Sequence, residues 1–192
     1  MKNLQICLFA CLFLVFAAPV SAQDLTLDEA YMAVHNKQRK PFNPQQTQIS
    51  AEEAKYLDHY FYVADLAMRA RVMTLRHFYG QARAMDVGRY NAEIEEMIKT
   101  FDMIDTPSKL RKPESLLIQA IRDQQDFFNE WRAAEGTPKF EQLKNNYRGH
   151  PKVASSHRLL IMAYSMLKQQ YPRETAANQQ SFYDHLCALD FI

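Results

Sequence analysis

Leu57, Phe61, Ala64, Met68, Val72, Leu75 and Tyr79 recur at spacings of three and four through a stretch that holds no proline, and no glycine before Gly80. At about 100° per residue these seven side chains fall within about 80° of one another, a broad apolar stripe along one long helix. Such a helix must bury its stripe against other helices. Ser50-Ala51-Glu52-Glu53 has the form of a capping box that opens it, and the pattern carries it to about Met85.

The same period returns downstream. A helix from about Arg89 to Ile104 places Tyr90, Ile94, Met97, Phe101 and Ile104 on one side. Pro113 suits the first turn of another, whose shared face is Leu117, Ile121, Phe128 and Trp131 and whose stop is Gly136. Thr137-Pro138 starts a short helix through Phe140, Leu143 and Tyr147. After Gly149-His150-Pro151 a further helix carries Val153, Leu160, Tyr164, Leu167 and Tyr171, and the last, over residues 175–192, turns Phe182, Leu186 and Leu189 inward. No segment alternates with period two between hairpin turns. The expected fold class is all-α, an irregular antiparallel helical bundle of four long helices plus short helices, over residues 50–192. Ahead of it, residues 23–49 are expected to form a short helix begun by Thr26-Leu27-Asp28-Glu29, then an extended, solvated arm containing Pro41 and Pro44.

Residues 1–22 read as a cleavable secretory signal peptide. Lys2 supplies the charge, Leu4 to Phe16 the apolar core, and Ala18-Pro19-Val20-Ser21-Ala22 a small-residue exit that predicts cleavage after Ala22. The apolar part, about 13 residues, is shorter than the roughly 20 that a membrane anchor needs. A periplasmic or secreted protein with no membrane span after cleavage is the expectation. Cleavage would remove Lys2 from 23 basic residues and leave 22 against 22 acidic ones. A neutral chain has no global electrostatic draw to nucleic acid. Cys7 and Cys11 would leave as well, so Cys187 is the single mature cysteine, expected to be buried on the last helix.

The four glycines, at 80, 88, 136 and 149, are nowhere clustered, which counts against phosphate-cradling loops and the dinucleotide fingerprint. G-x-S-x-G, H-E-x-x-H and C-x-x-C-H are absent, as are the Glu-x-x-His pairs with which bundles hold metals. No cofactor, metal site or catalytic residue is expected.

Helical phase singles out four inward polar side chains. Arg71 lies about 60° from the centre of the long apolar stripe, Gln124 at the centre of its helix's face, His157 between Val153 and Leu160, and His185 at the edge of the Phe182–Leu186 face. Buried polar groups need partners and a buried guanidinium needs an anion, so these four could form a ligand pocket. His59 and His77, about 27 Å apart along one helix, are expected to face solvent.

A flank of the long helix holds Asp65 with Arg69, Arg76 and Arg83, the arginines repeating every seven residues. Asp65 can pair with Arg69 at i,i+4, leaving the other two for an anionic partner such as lipid, polysaccharide or an acidic protein. Tyr62, outside the apolar stripe and beside these arginines, suits an interface. The reading leans to a non-enzymatic, exported helical protein that binds an envelope protein or an anionic envelope component. The alternatives are a small-ligand-binding bundle and an enzyme whose site has no recognisable motif. Oligomeric state is not legible in the sequence.

Overall fold

The computed structural model describes residues 41–187, and none of these lies in a strand. Over the described residues six α-helices follow one another: α1 Ala51–Phe78, α2 Val87–Lys99, α3 Arg111–Ala133, α4 Pro138–Asn145, α5 Pro151–Gln170 and α6 Ala176–Leu186. Short 3-10 turns occupy Pro44–Gln46 and Thr100–Met103. The all-helical expectation holds. The export signal, the helix begun at Thr26 and the inward Leu189 lie outside the described residues.

α1 opens at the expected capping box, with Ser50 Oγ accepting the Glu53 N–H at 3.3 Å and donating to Glu53 Oε2 at 3.2 Å. It closes at Phe78, about two turns short of Met85. Gly80, at φ 65°, reverses the chain in a Schellman turn: its N–H reaches His77 O at 3.0 Å and the Gln81 N–H reaches Arg76 O at 2.9 Å. Arg76 braces that turn by donating from Nε to Ala82 O at 2.8 Å. The loop ends where Asp86 Oδ1 accepts the Arg89 N–H at 3.0 Å and caps α2.

The expected stripe is buried from Leu57 to Leu75, but Tyr79, just past the helix end, is 41% exposed. α1 also buries Tyr56, Tyr60, Val63, Ala70, Thr74 and Phe78, which lie outside that stripe. Neighbours on several sides account for this: Phe101 beside Tyr60 at 6.3 Å, Pro113 O accepting the Tyr60 hydroxyl at 3.2 Å, and Phe182 stacked on Phe61 at 5.5 Å. Polar pairs fix the helix directions. Asn91–Asn129 and Glu95–Arg122 set α2 antiparallel to α3, and Lys152–Asp126 with Gln170–Lys109 set α5 antiparallel to α3.

The Glu95–Arg122 pair makes one testable contribution. Arg122 Nη2 donates to Glu95 Oε2 at 2.8 Å, Nη1 meets Oε1, and Gln125 Nε2 donates to Oε1 at 3.1 Å. The Arg122 bonds, seconded by Gln125, pull the Glu95 carboxyl from 4.5 to about 2. The native state therefore binds this proton less readily than the unfolded chain, and the contribution is present above about pH 4.5 and lost as pH falls towards about 2. Both side chains are more than a third exposed, so solvent screening keeps the effect small. The stability gap between the natural chain and Arg122→Gln, followed by urea unfolding across this range, is expected to narrow with acid. A gap that stays constant or widens would contradict the pairing.

The arm departs from expectation. Residues 41–49 are only partly solvated: Pro41, Gln45, Gln46 and Gln48 are exposed, but Phe42 is 6% exposed and packs on Phe61 and Phe182 at 5.6 and 6.1 Å. Asn178, itself buried, grips the arm's backbone, accepting the Asn43 N–H at 2.9 Å and donating to Asn43 O at 3.1 Å. The buried Glu174 carboxylate accepts from the Thr47 hydroxyl and from the Gln48 N–H. Asn178→Ala would strand these backbone groups, at a cost of about 1–3 kcal/mol. Urea unfolding and limited proteolysis should show lower stability and faster cleavage within the arm; a variant with unchanged cleavage would show that Phe42 and Glu174 suffice to anchor it.

Candidate functional site

Where α1, α3, α5 and α6 converge, three alanines leave space that larger side chains would fill. Ala64 and Ala67, one turn apart on α1, and Ala120 of α3 border a partly open cavity of about 30 Å³. That is room for about two water molecules, or for a chemical group of that size with the remainder of its molecule at the open side. Met68, Ile121 and Leu160 make the walls apolar. Into this lining are set Arg71, Gln124, Ser156, His185 and Tyr90. Burial pushes the Tyr90 phenol well above its ordinary value, with Tyr147 nearby adding to the shift, so this ring lines the cavity uncharged.

Arg71 is 5% exposed and Gln124 is 3% exposed, and one hydroxyl holds both. Tyr147, between α4 and α5, accepts from Arg71 Nε at 2.8 Å and from Gln124 Nε2 at 3.2 Å, while the Arg71 guanidinium carbon stands 5.8 Å from the Tyr147 ring centre. Gln124 Oε1 is buried and has no hydrogen-bond partner among the described residues. From α6, His185 is 8% exposed, stacks on Phe61 at 4.9 Å and 20°, and places Nδ1 2.8 Å from Asp65 Oδ1. An ionised carboxylate accepts only, so a hydrogen lies on Nδ1, and in the neutral form of the ring the lone pair is on Nε2. Nε2 is buried and likewise has no partner among the described residues.

Three of the four inward polar residues thus meet at one cavity. His157 does not: it is exposed on α5, and its neighbour Ser156 faces the cavity instead. The buried face of α5 runs through Val153, Ser156, Leu160, Ala163 and Leu167. Including the small Ser156 and Ala163 moves its centre about 80° from His157, at 100° per residue. Asp65, expected to serve Arg69, is the partner of His185.

The proposed arginine face is also corrected. Arg76 is 6% exposed and bonded to the loop, and Arg83 lies beyond the end of α1 with φ 56°, so the seven-residue repeat is not carried by one helix. Arg69 is exposed and Tyr62 is 60% exposed, as expected of that flank. His77 is exposed too. His59 is half-buried, bonded to Thr100 Oγ1 at 3.1 Å and edge-on to Phe101, and burial pushes its pKa down. Cys187 is half-buried at the end of α6.

Among the described residues no group of three His, Cys, Asp or Glu side chains is placed to hold a metal ion, and no helix is long and apolar enough to cross a membrane. Comparison with protein-family models, curated proteins and solved structures finds no match to this chain.

Proposed function

We propose that the chain is an exported protein whose helices form one irregular antiparallel bundle, and that it binds a small polar ligand in the cavity bordered by Arg71, Gln124 and His185. The observation that carries this reading is the pair Gln124 Oε1 and His185 Nε2. Both are buried, both lack a partner among the described residues, and both residues line the same cavity. A buried polar atom without a hydrogen bond costs about 1–3 kcal/mol, which a ligand that meets it returns.

Titration of the isotope-labelled protein with a library of small polar molecules tests the reading. Binders should shift the Gln124 side-chain amide and the His185 ring resonances, and Ala120→Leu, which fills the cavity, should abolish those shifts. A library with no such binder would remove the reading. The export assignment rests on residues 1–22, and N-terminal sequencing of the mature protein is expected to start at Gln23.

A second reading, docking to an anionic component of the envelope, is favoured by Tyr62 and Arg69, both exposed and seven residues apart on α1. Its test is co-sedimentation with anionic vesicles, which Tyr62→Ser with Arg69→Ser should weaken.

A further inference from the structure

Resting on the small-ligand reading, we infer that the cavity selects a neutral hydrogen-bond donor, a small molecule with an alcohol or diol head and a short apolar body. Within this lining, the two fully buried side-chain atoms with no hydrogen-bond partner among the described residues are both acceptors. Gln124 spends Nε2 on Tyr147 and presents Oε1. His185 is oriented by Asp65 through Nδ1, which leaves the lone pair of Nε2 as its second function. A hydroxyl brings the hydrogen that each of these atoms lacks.

The same geometry disfavours both charged classes. A carboxylate would set its own lone pairs against those of Gln124 Oε1 and His185 Nε2, and of the Arg71 donors only the Nη hydrogens, not the Nε hydrogen bonded to Tyr147, could offset that. An ammonium could donate to both acceptors, but it would lie in a cavity that the Arg71 guanidinium also lines, and like charges at short range repel. A neutral donor avoids both conflicts. The aliphatic walls formed by Met68, Ile121 and Leu160 suit a short carbon chain, and the partly open side allows that chain to extend outward.

Three probes of matched size separate the classes: 1,2-propanediol, propanoate and propylammonium, each titrated above neutral pH against the full mature chain. The readouts are the Gln124 side-chain amide and the His185 ring carbon–proton resonances. The diol is expected to shift both saturably, with a dissociation constant at least about tenfold below that of either charged probe, equivalent to about 1.4 kcal/mol. Gln124→Met, which deletes one acceptor at similar size, and His185→Asn, which retains a donor for Asp65 while deleting Nε2, should each weaken diol binding about tenfold or more. Thermal melts identify any variant that fails to fold, and the other variant then carries the comparison.

Tightest binding by propanoate or propylammonium overturns the donor inference and leaves the small-ligand reading standing. Diol binding that neither variant weakens also overturns it, since the bound hydroxyls would not be meeting these acceptors. If none of the three probes moves either resonance, the inference fails, and the library titration decides the broader reading separately.

Discussion

Replacing Trp131 with alanine is expected to lower stability by about 3–4 kcal/mol, read as the shift of the urea midpoint followed by far-ultraviolet circular dichroism. Trp131, the one tryptophan of the chain, is 0% exposed and lies on α3. Its indole stacks on Phe78 at 4.0 Å and 2°, with Phe127 at 5.4 Å and Phe140 at 5.8 Å. It therefore joins the end of α1 to α3 and α4. Deleting the ring opens a cavity among side chains that belong to three elements and cannot all collapse inward. One term acts the other way. The indole Nε1–H is buried and has no acceptor among the described residues, so its removal returns about 1 kcal/mol of the loss.

Trp131→Phe separates the two terms, because it preserves a stacked ring and deletes the N–H. Its expected loss is about 1 kcal/mol, well below that of alanine. Equal losses for the two variants would mean that ring stacking contributes little. The effect should reach the cavity as well, since Trp131 lies 6.5 Å from Tyr147, the hydroxyl that holds Arg71 and Gln124.

The heptad-like spacing of apolar residues was enough to place every helix of the described residues, because burial of one face is what makes each helix stable. Its limits are local as well as long-range. Gly80 is visible in the sequence, yet the apolar phase holds right up to Tyr79 beside it, and only the left-handed backbone of the Schellman turn shows why the helix stops. The apolar pattern turns His157 inward because Ser156 and Ala163 carry little hydrophobic weight, although both belong to the side of α5 that packs on its neighbours. The cavity itself arises the same way, from Ala64, Ala67 and Ala120, residues that a search for large apolar side chains passes over.

The partners that organise the site had weaker signals still. Tyr147 reads as ordinary core on a short helix, and nothing local reveals that its hydroxyl meets Arg71, 76 positions away. Asp65 had a plausible partner one turn along its own helix. Its bond to His185 spans 120 positions and becomes visible only when α6 lies beside α1. The arm posed the same difficulty, since its proline- and glutamine-rich composition is that of a linker and the residues that grip it are on α6. Periodicity locates faces; hydrogen bonds between faces require the assembled helices.

Phe61→Ala is expected to cost about 3–5 kcal/mol and to weaken ligand binding at the same time. Phe61 is 1% exposed, and its ring meets Phe42 of the arm at 5.6 Å, Phe182 of α6 at 5.5 Å and the His185 imidazole at 4.9 Å. The arm and α6 thus share one aromatic support on α1. Without it, His185 loses the surface that fixes its ring plane, and the Nδ1 bond to Asp65 alone permits rotation that swings Nε2 away from the cavity. Binding of 1,2-propanediol should then fall about tenfold or more even where the variant is fully folded, while Phe61→Leu, which preserves bulk but not a flat face, should lose less stability than alanine. Limited proteolysis divides the remaining causes. Cleavage within residues 41–49 should accelerate in Phe61→Ala, because Phe42 loses its main contact. If the arm stays protected while binding falls, Asn178 and Glu174 are sufficient to hold it, and Phe61 serves the cavity through His185 rather than through the arm.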